Sequence, residues 1–132
     1  MSRHGISYLA ALLCCASPLA FAADYRIATQ EDFDRYREAT FAPGDRVLFE
    51  RGGEFIGMFA PKAVGAEGNV IIITAHGEGP RPVIHNQGVL HPHPARAGEV
   101  VSAGILLFNA EYVELSGLEV TNNNGGDQDD DN

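Results

Sequence analysis

The chain has no tryptophan, and its two cysteines, Cys14 and Cys15, both fall within the first 22 of its 132 residues. Everything after them lacks a thiol, which excludes a disulfide framework, a thiolate nucleophile and a cysteine-bound metal, and leaves packing to hold the fold. Cationic side chains are scarce: nine Lys and Arg stand against 18 Asp and Glu, for a formal net charge of −9. Nucleic-acid binding leans on Lys and Arg contacts to phosphate, so that class of partner is excluded. A polyanion held by this segment itself also fits poorly. Four of the acids are Asp127, Asp129, Asp130 and Asp131, so the body of the chain is only moderately acidic, as suits a solvated surface. No apolar run approaches the roughly 20 residues that span a bilayer. There is no glycine-rich phosphate loop and no nucleophile elbow.

What is present begins with a targeting segment over residues 1–22. Arg3 and His4 make a weakly basic start, Ile6 to Ala16 is almost wholly apolar, and Ala20-Phe21-Ala22 is a small-x-small cleavage signal before Ala23-Asp24. Leu13 precedes Cys14, and Cys14 precedes Cys15, where a lipoprotein signal needs a small residue, so lipidation is not expected. The reading is a secretory signal peptide, a secreted or periplasmic destination and no membrane anchor after cleavage. The mature chain of about 110 residues is one domain in size.

Residues 23–45 read as a helical cap. Thr29 is an N-cap candidate with Asp32 three residues on, close to a capping box, and Phe33, Tyr36 and Ala39-Thr40 share one helical face. Pro43-Gly44 is expected to end the helix. Residues 46–124 read as strand and turn. The apolar runs are Val47 to Phe49, Phe55 to Phe59, Val70 to Ile73, Pro82 to Ile84, Ile105 to Phe108, and the pair Tyr112 to Leu115 and Leu118 to Thr121. Taken alternately they form two series: Phe55, Pro82 and Tyr112 at steps of 27 and 30, and Val47, Val70 and Ile105 at steps of 23 and 35. The longer step holds an insertion, Gln87 to Val101, with His91-Pro-His-Pro94, read as a protruding loop. The unit, about 22 to 27 residues, is a solenoid repeat length.

An antiparallel sandwich also gives short strands and frequent turns. The stacked coil is preferred because Val70 to Ile73 and Ile105 to Phe108 are continuously apolar, like parallel strands covered on both sides, and no Asn-Gly or Asp-Gly turn links neighbouring strands. Ser116-Gly117 suits a corner better than a hairpin. The Phe33 and Tyr36 face then covers the exposed end of the first coil.

The ordered set Ala42-Pro-Gly-Asp-Arg-Val-Leu-Phe49, Arg51 to Phe55, Gly68-Asn-Val-Ile-Ile-Ile73, Gly77 to Ile84 and Asn109 to Asn122 resembles the opening of the right-handed parallel β-helix proteins of the pectate lyase superfamily. The resemblance runs over about 90 residues, from Thr29 to Asn122. It implies an all-β solenoid, a right-handed single-stranded parallel β-helix with an N-terminal capping α-helix and about three coils. It implies a carbohydrate-active protein, polysaccharide lyase-like, acting on a possibly uronate-containing polysaccharide. Family members have more coils, with the catalytic Lys or Arg and the calcium-binding acids on the middle ones. The chain is therefore expected to be the N-terminal portion of a longer protein, inactive alone, with calcium a cofactor of the parent only and no catalytic residue to assign here. The alternative is a non-catalytic surface or carbohydrate-binding β-helix.

Several residues carry rival readings. Residues 125–132 read as an acidic tail or as the start of a truncated loop, and Asp127, Asp129 and Asp131 within them are either plain tail or part of a calcium site, which takes six to eight oxygens. Asn122 to Asn124 either begin a stacked asparagine ladder or form a polar turn. His91 and His93 supply two metal ligands at most and read as a surface loop. His76 and His85, beside strand ends, read as hydrogen-bonded structural histidines. Arg51, Arg81 and Lys62 are the basic residues near coil corners that could meet an acidic sugar, against plain structural or solvated roles.

Overall fold

Tyr25 and Ile27, then Val47 and Phe49, then Ile71 and Ile73, point to one side of their strands and pack inward, with Leu48 on the opposite side of its strand also buried. In the computed structural model, which describes residues 22–123, these pairs stack on one another. The elements in chain order are β1 (Asp24–Ile27), α1 (Gln30–Tyr36), β2 (Thr40–Phe41), β3 (Arg46–Glu50), β4 (Glu54–Ile56), β5 (Lys62–Ala63), β6 (Ile71–His76), β7 (Val83–His85), β8 (His91–Pro92), β9 (Val100–Val101), β10 (Val113–Leu115) and β11 (Glu119–Thr121).

A four-stranded sheet runs β1-β3-β6-β10, with every neighbouring pair parallel. A second sheet runs β4-β7-β11, also parallel, aligning Phe55, Ile84 and Val120. A third face is made of the β2-β5 pair and the parallel bridges Phe59 to Ile105 and Val64 to Glu111. The chain visits these faces in turn and returns to pair with its own previous circuit, which makes the fold β-helix-like. Antiparallel pairing is confined, among the described residues, to the β8-β9 ribbon, which lies in the insertion expected to protrude, and to the local Ala66 to Asn69 bridge.

The interior is filled from all three faces: Ile27, Val47, Phe49, Ile71 and Ile73 from the first, Phe55 and Ile84 from the second, Phe41, Phe59 and Ala63 from the third. Helix α1 closes one end. Thr29 accepts a bond from the Asp32 N–H at 3.1 Å while the Asp32 carboxylate accepts from the Thr29 N–H at 3.2 Å, a complete capping box. Phe33, fully buried, lies 5.8 Å from Phe55, 6.0 Å from Phe59 and 6.5 Å from Phe49 by ring centroid.

Three expectations change. The helix ends at Tyr36, not before Pro43, because Thr40-Phe41 forms β2 and buries the Phe41 ring 4.9 Å from Tyr25. Residues Asp24 to Ile27, placed by the sequence in the helical cap of residues 23–45, are a strand of the main sheet. The two alternating series also cross over. Val113 to Leu115 stacks on β6 and Glu119 to Thr121 on β7, so Tyr112 does not continue the Phe55 and Pro82 series. Ile105 pairs with Phe59 on the third face, and Ile105 to Phe108 is half-buried apolar backbone with one bridge instead of a doubly covered strand. Ser116-Gly117 is the corner between two parallel sheets, with Gly117 at φ 73° and room there limited by Ala75. Asp127, Asp129, Asp131 and Asn124 lie outside the described residues, as does the apolar part of the leader.

Candidate functional site

Two clefts and one buried polar cluster stand out. The larger cleft, about 350 Å³, lies where the third face meets the insertion, and is lined by Glu38, Lys62, Leu106, Phe108, Pro94 and Ala95 among others. Glu38 follows the helix, and Lys62 is presented by β5, whose Ala63 points inward and so turns Lys62 out. Phe108 is held by the tip of the β8-β9 ribbon. The His93 ring meets it edge-on at 5.0 Å, and the Arg96 guanidinium sits 5.4 Å from its centroid. The tip is itself braced by the Arg96 to Glu99 ion pair at 3.4 Å and by the His93 N–H donating to the Glu99 carbonyl at 2.9 Å. The insertion therefore folds back as a wall. An apolar floor of Leu106 and Phe108 with a carboxylate and an ammonium at the rim suits a ligand with both C–H faces and hydroxyls.

The smaller cleft, about 250 Å³, lies on the outward face of the four-stranded sheet and is lined by Arg26, Leu48, Glu50, His76 and Glu78 with backbone near Ala28 and Gly77. Strand register puts Glu50 opposite His76. Beside it, Arg46 donates two bonds to Asp24 at 2.8 and 2.6 Å. That pairing holds the Asp24 carboxyl below, and the Arg46 guanidinium above, their ordinary pKa values. The Asp32 carboxyl is lowered too, first by the Ala28 N–H that it accepts.

The polar cluster centres on Asn86, 1% exposed, which follows β7 as Asn122 follows β11. The Asn86 amide donates to Asn122 Oδ1 at 2.8 Å, to the Val89 carbonyl at 2.8 Å and to Ser102 Oγ at 3.1 Å, and His91 Nε2 bonds Asn86 Oδ1 at 2.5 Å. Asn122 in turn accepts from the Gly88 N–H at 3.1 Å. This is the asparagine ladder, one of the two readings open for Asn122, and it pins the insertion to the coil. The Asn86 amide and carbonyl and the Asn122 side chain are all taken up by hydrogen bonds within the fold, which gives the cluster a structural role.

The structure brings Lys62 to the larger cleft and His76 to the smaller, while His93 packs against Phe108 without lining the larger cleft itself. His85 bonds Thr121 Oγ1 at 2.6 Å across adjacent circuits, and Arg51 reaches the Gly79 carbonyl at 3.4 Å, both structural. Arg81 is exposed, outside either cleft. His91 is committed to Asn86 and does not join His93 as a ligand pair. Among the described residues no three His, Cys, Asp or Glu side chains converge on a metal position. Glu38, Glu50 and Phe108 were not singled out from sequence.

No protein-family profile and no curated protein matches the chain significantly. Two solved structures of the GH136 lacto-N-biosidase from Eubacterium ramulus are similar to it. The native protein aligns at a TM-score of 0.62 and 22% identity over 80% of this chain, and the selenomethionine derivative at 0.60 and 23% over 76%. The likeness is one of fold. The chain spans 20 to 21% of the length of those neighbours.

Proposed function

We propose that this chain is the opening, glycan-facing part of an exported, right-handed β-helix protein that acts on carbohydrate. The observation that carries the reading is the cleft at Glu38, Lys62, Leu106 and Phe108, in a fold that is similar to part of a lacto-N-biosidase. Aromatic and aliphatic floor with polar rim is the chemistry a sugar ring needs: C–H faces against the apolar surface, hydroxyls toward Glu38 and Lys62. Charge favours a neutral glycan over a uronate polymer in this segment, since each cleft already holds carboxylates and the chain is acidic overall. Catalysis belongs to the parent protein.

The test is titration of the exported chain with neutral oligosaccharides and with oligouronates, followed by calorimetry and by NMR shifts. Neutral oligosaccharides should bind, and Phe108→Ala should weaken them about tenfold, the equivalent of roughly 1.4 kcal/mol of lost stacking. No binding, or equal binding by Phe108→Ala, overturns the proposal. A second reading, a lyase acting on an acidic glycan, is favoured by the resemblance of the Ala42 to Asn122 motifs to the pectate lyase superfamily. Unsaturated product formed by the full-length parent from uronate polymers, followed by ultraviolet absorbance, would establish it, and no product with or without calcium would sink it.

A further inference from the structure

Asp45 is 3% exposed, yet among the described residues no Lys, Arg or His forms an ion pair with it. Buried carboxylates are normally matched by a cation as well as by hydrogen bonds. Its Oδ2 accepts from the Ala42 N–H at 2.8 Å, which closes the Pro43-Gly44 turn. Its Oδ1 accepts from the backbone nitrogen of Ala23 at 3.0 Å. Ala23 is also the residue that cleavage after Ala20-Phe21-Ala22 would place first in the mature protein. Of the two backbone nitrogens that donate to the buried carboxylate, one is thus the atom that processing would charge.

We propose that the amino terminus released by cleavage between Ala22 and Ala23 is held as an ammonium by Asp45, so that removal of the leader completes a half-buried ion pair at the first strand. The inference rests on the export reading. The step is hydrolysis of the Ala22–Ala23 peptide bond: water adds across it, the carboxylate stays on Ala22 and leaves with the leader, and the amine on Ala23 takes up a proton. No movement of Ala23 is needed. Its carbonyl already accepts from the Arg46 N–H at 2.9 Å, and the next residue begins β1, paired with β3. A terminus fixed on both sides does not fray, unlike most chain ends. The precursor, with a neutral peptide N–H at this position, lacks the pair, and the mature chain gains an anchor where the first circuit starts.

The chain offers a clean probe, because Lys62 is its only lysine and is exposed, so an amine-directed acylating reagent has two targets in a chain that starts at Ala23. The full chain is expressed for export, the product isolated, and labelling of each amine followed by peptide mass spectrometry at mildly alkaline pH, folded and in urea. The expected product begins at Ala23. Relative to Lys62, its α-amine should label about tenfold more slowly folded than unfolded, the change in free-base fraction that one pKa unit produces. Asp45→Asn, which keeps an acceptor oxygen but loses the charge, should remove most of that protection while circular dichroism stays that of a folded chain. A chain that starts at Ala23 and labels equally fast folded and unfolded overturns this inference alone, and so does undiminished protection in Asp45→Asn. A product that keeps its leader, or begins at another residue, overturns the export reading and this inference with it.

Discussion

Replacing Phe33 by alanine tests whether the short helix acts as the cover of the stack. The side chain is fully buried, its ring stacked on Phe55 at 18° between planes and packed against Phe49 and Phe59, with the Arg37 guanidinium 5.8 Å from its centroid. A buried Phe→Ala change costs about 3–5 kcal/mol, the transfer of the ring plus the cavity it leaves. The Phe33 site belongs at the upper half of that range, because its walls are themselves rings fixed by other strands and collapse poorly. Total stability for a domain of this kind is about 5–15 kcal/mol, so the variant should be close to unfolded if the wild type lies near the lower figure. At about 4 °C per kcal/mol for this size, the melting temperature should fall by roughly 15 °C. Phe33→Leu, which gives up roughly two methylene equivalents, should lose only about 1–2 kcal/mol. Urea denaturation followed by far-ultraviolet circular dichroism measures both. The midpoint should move and the slope should not, since the same surface is exposed on unfolding. A loss below about 1 kcal/mol for Phe33→Ala, or equal losses for the two variants, would refute the capping role of α1.

Asn86→Ala should lose about 2–4 kcal/mol, because it strands the Val89 carbonyl, Asn122 and His91 together; hydrogen exchange should show the β8-β9 ribbon loosened before the sheets. Gly65→Ala puts a Cβ 2.5 Å from the Tyr112 carbonyl oxygen, a backbone atom that cannot swing aside, and should cost about 1–3 kcal/mol with the lost protection concentrated in β10. Arg46→Gln tests the Asp24 pair. The folded Asp24 pKa is depressed, so its contribution is present above the unfolded value of about 3.9 and is lost as pH falls through the lower folded value. Both groups are exposed, so the effect should be small: urea midpoints of wild type and Arg46→Gln should differ slightly at neutral pH and converge in strong acid or in about 1 M salt. A difference that persists in acid would assign Arg46 a packing role instead.

What could be read in advance was what a few adjacent residues decide. Thr29 and Asp32 close a capping box within one turn, Ser116-Gly117 makes a corner, and the insertion around His91-Pro-His-Pro94 announces itself by prolines. Ordering the circuits needs more. The pairing of Thr74 with Ser116 spans 42 residues, almost twice the 22 between Asp24 and Arg46, because the insertion lies inside the longer circuit. Simple alternation of apolar runs therefore mixed faces, and placed Ile105 on a sheet where Val113 belongs. The same mixing hid Asn86 as the partner of Asn122 in the asparagine ladder. Only when Thr121 is set opposite His85 does the next residue of each strand, Asn122 and Asn86, fall at one position of successive circuits. Asn86 buries its amide there because a stacked partner supplies what water would otherwise supply. The candidate cleft depends on the same geometry: Lys62 has no interest as a lone basic residue, and acquires it because the ladder anchors an insertion whose tip holds Phe108 beside it. If that chain of support is correct, Asn86→Ala should weaken ligand binding at Phe108, a side chain it does not touch, and the weakening should track the loosening of the ribbon.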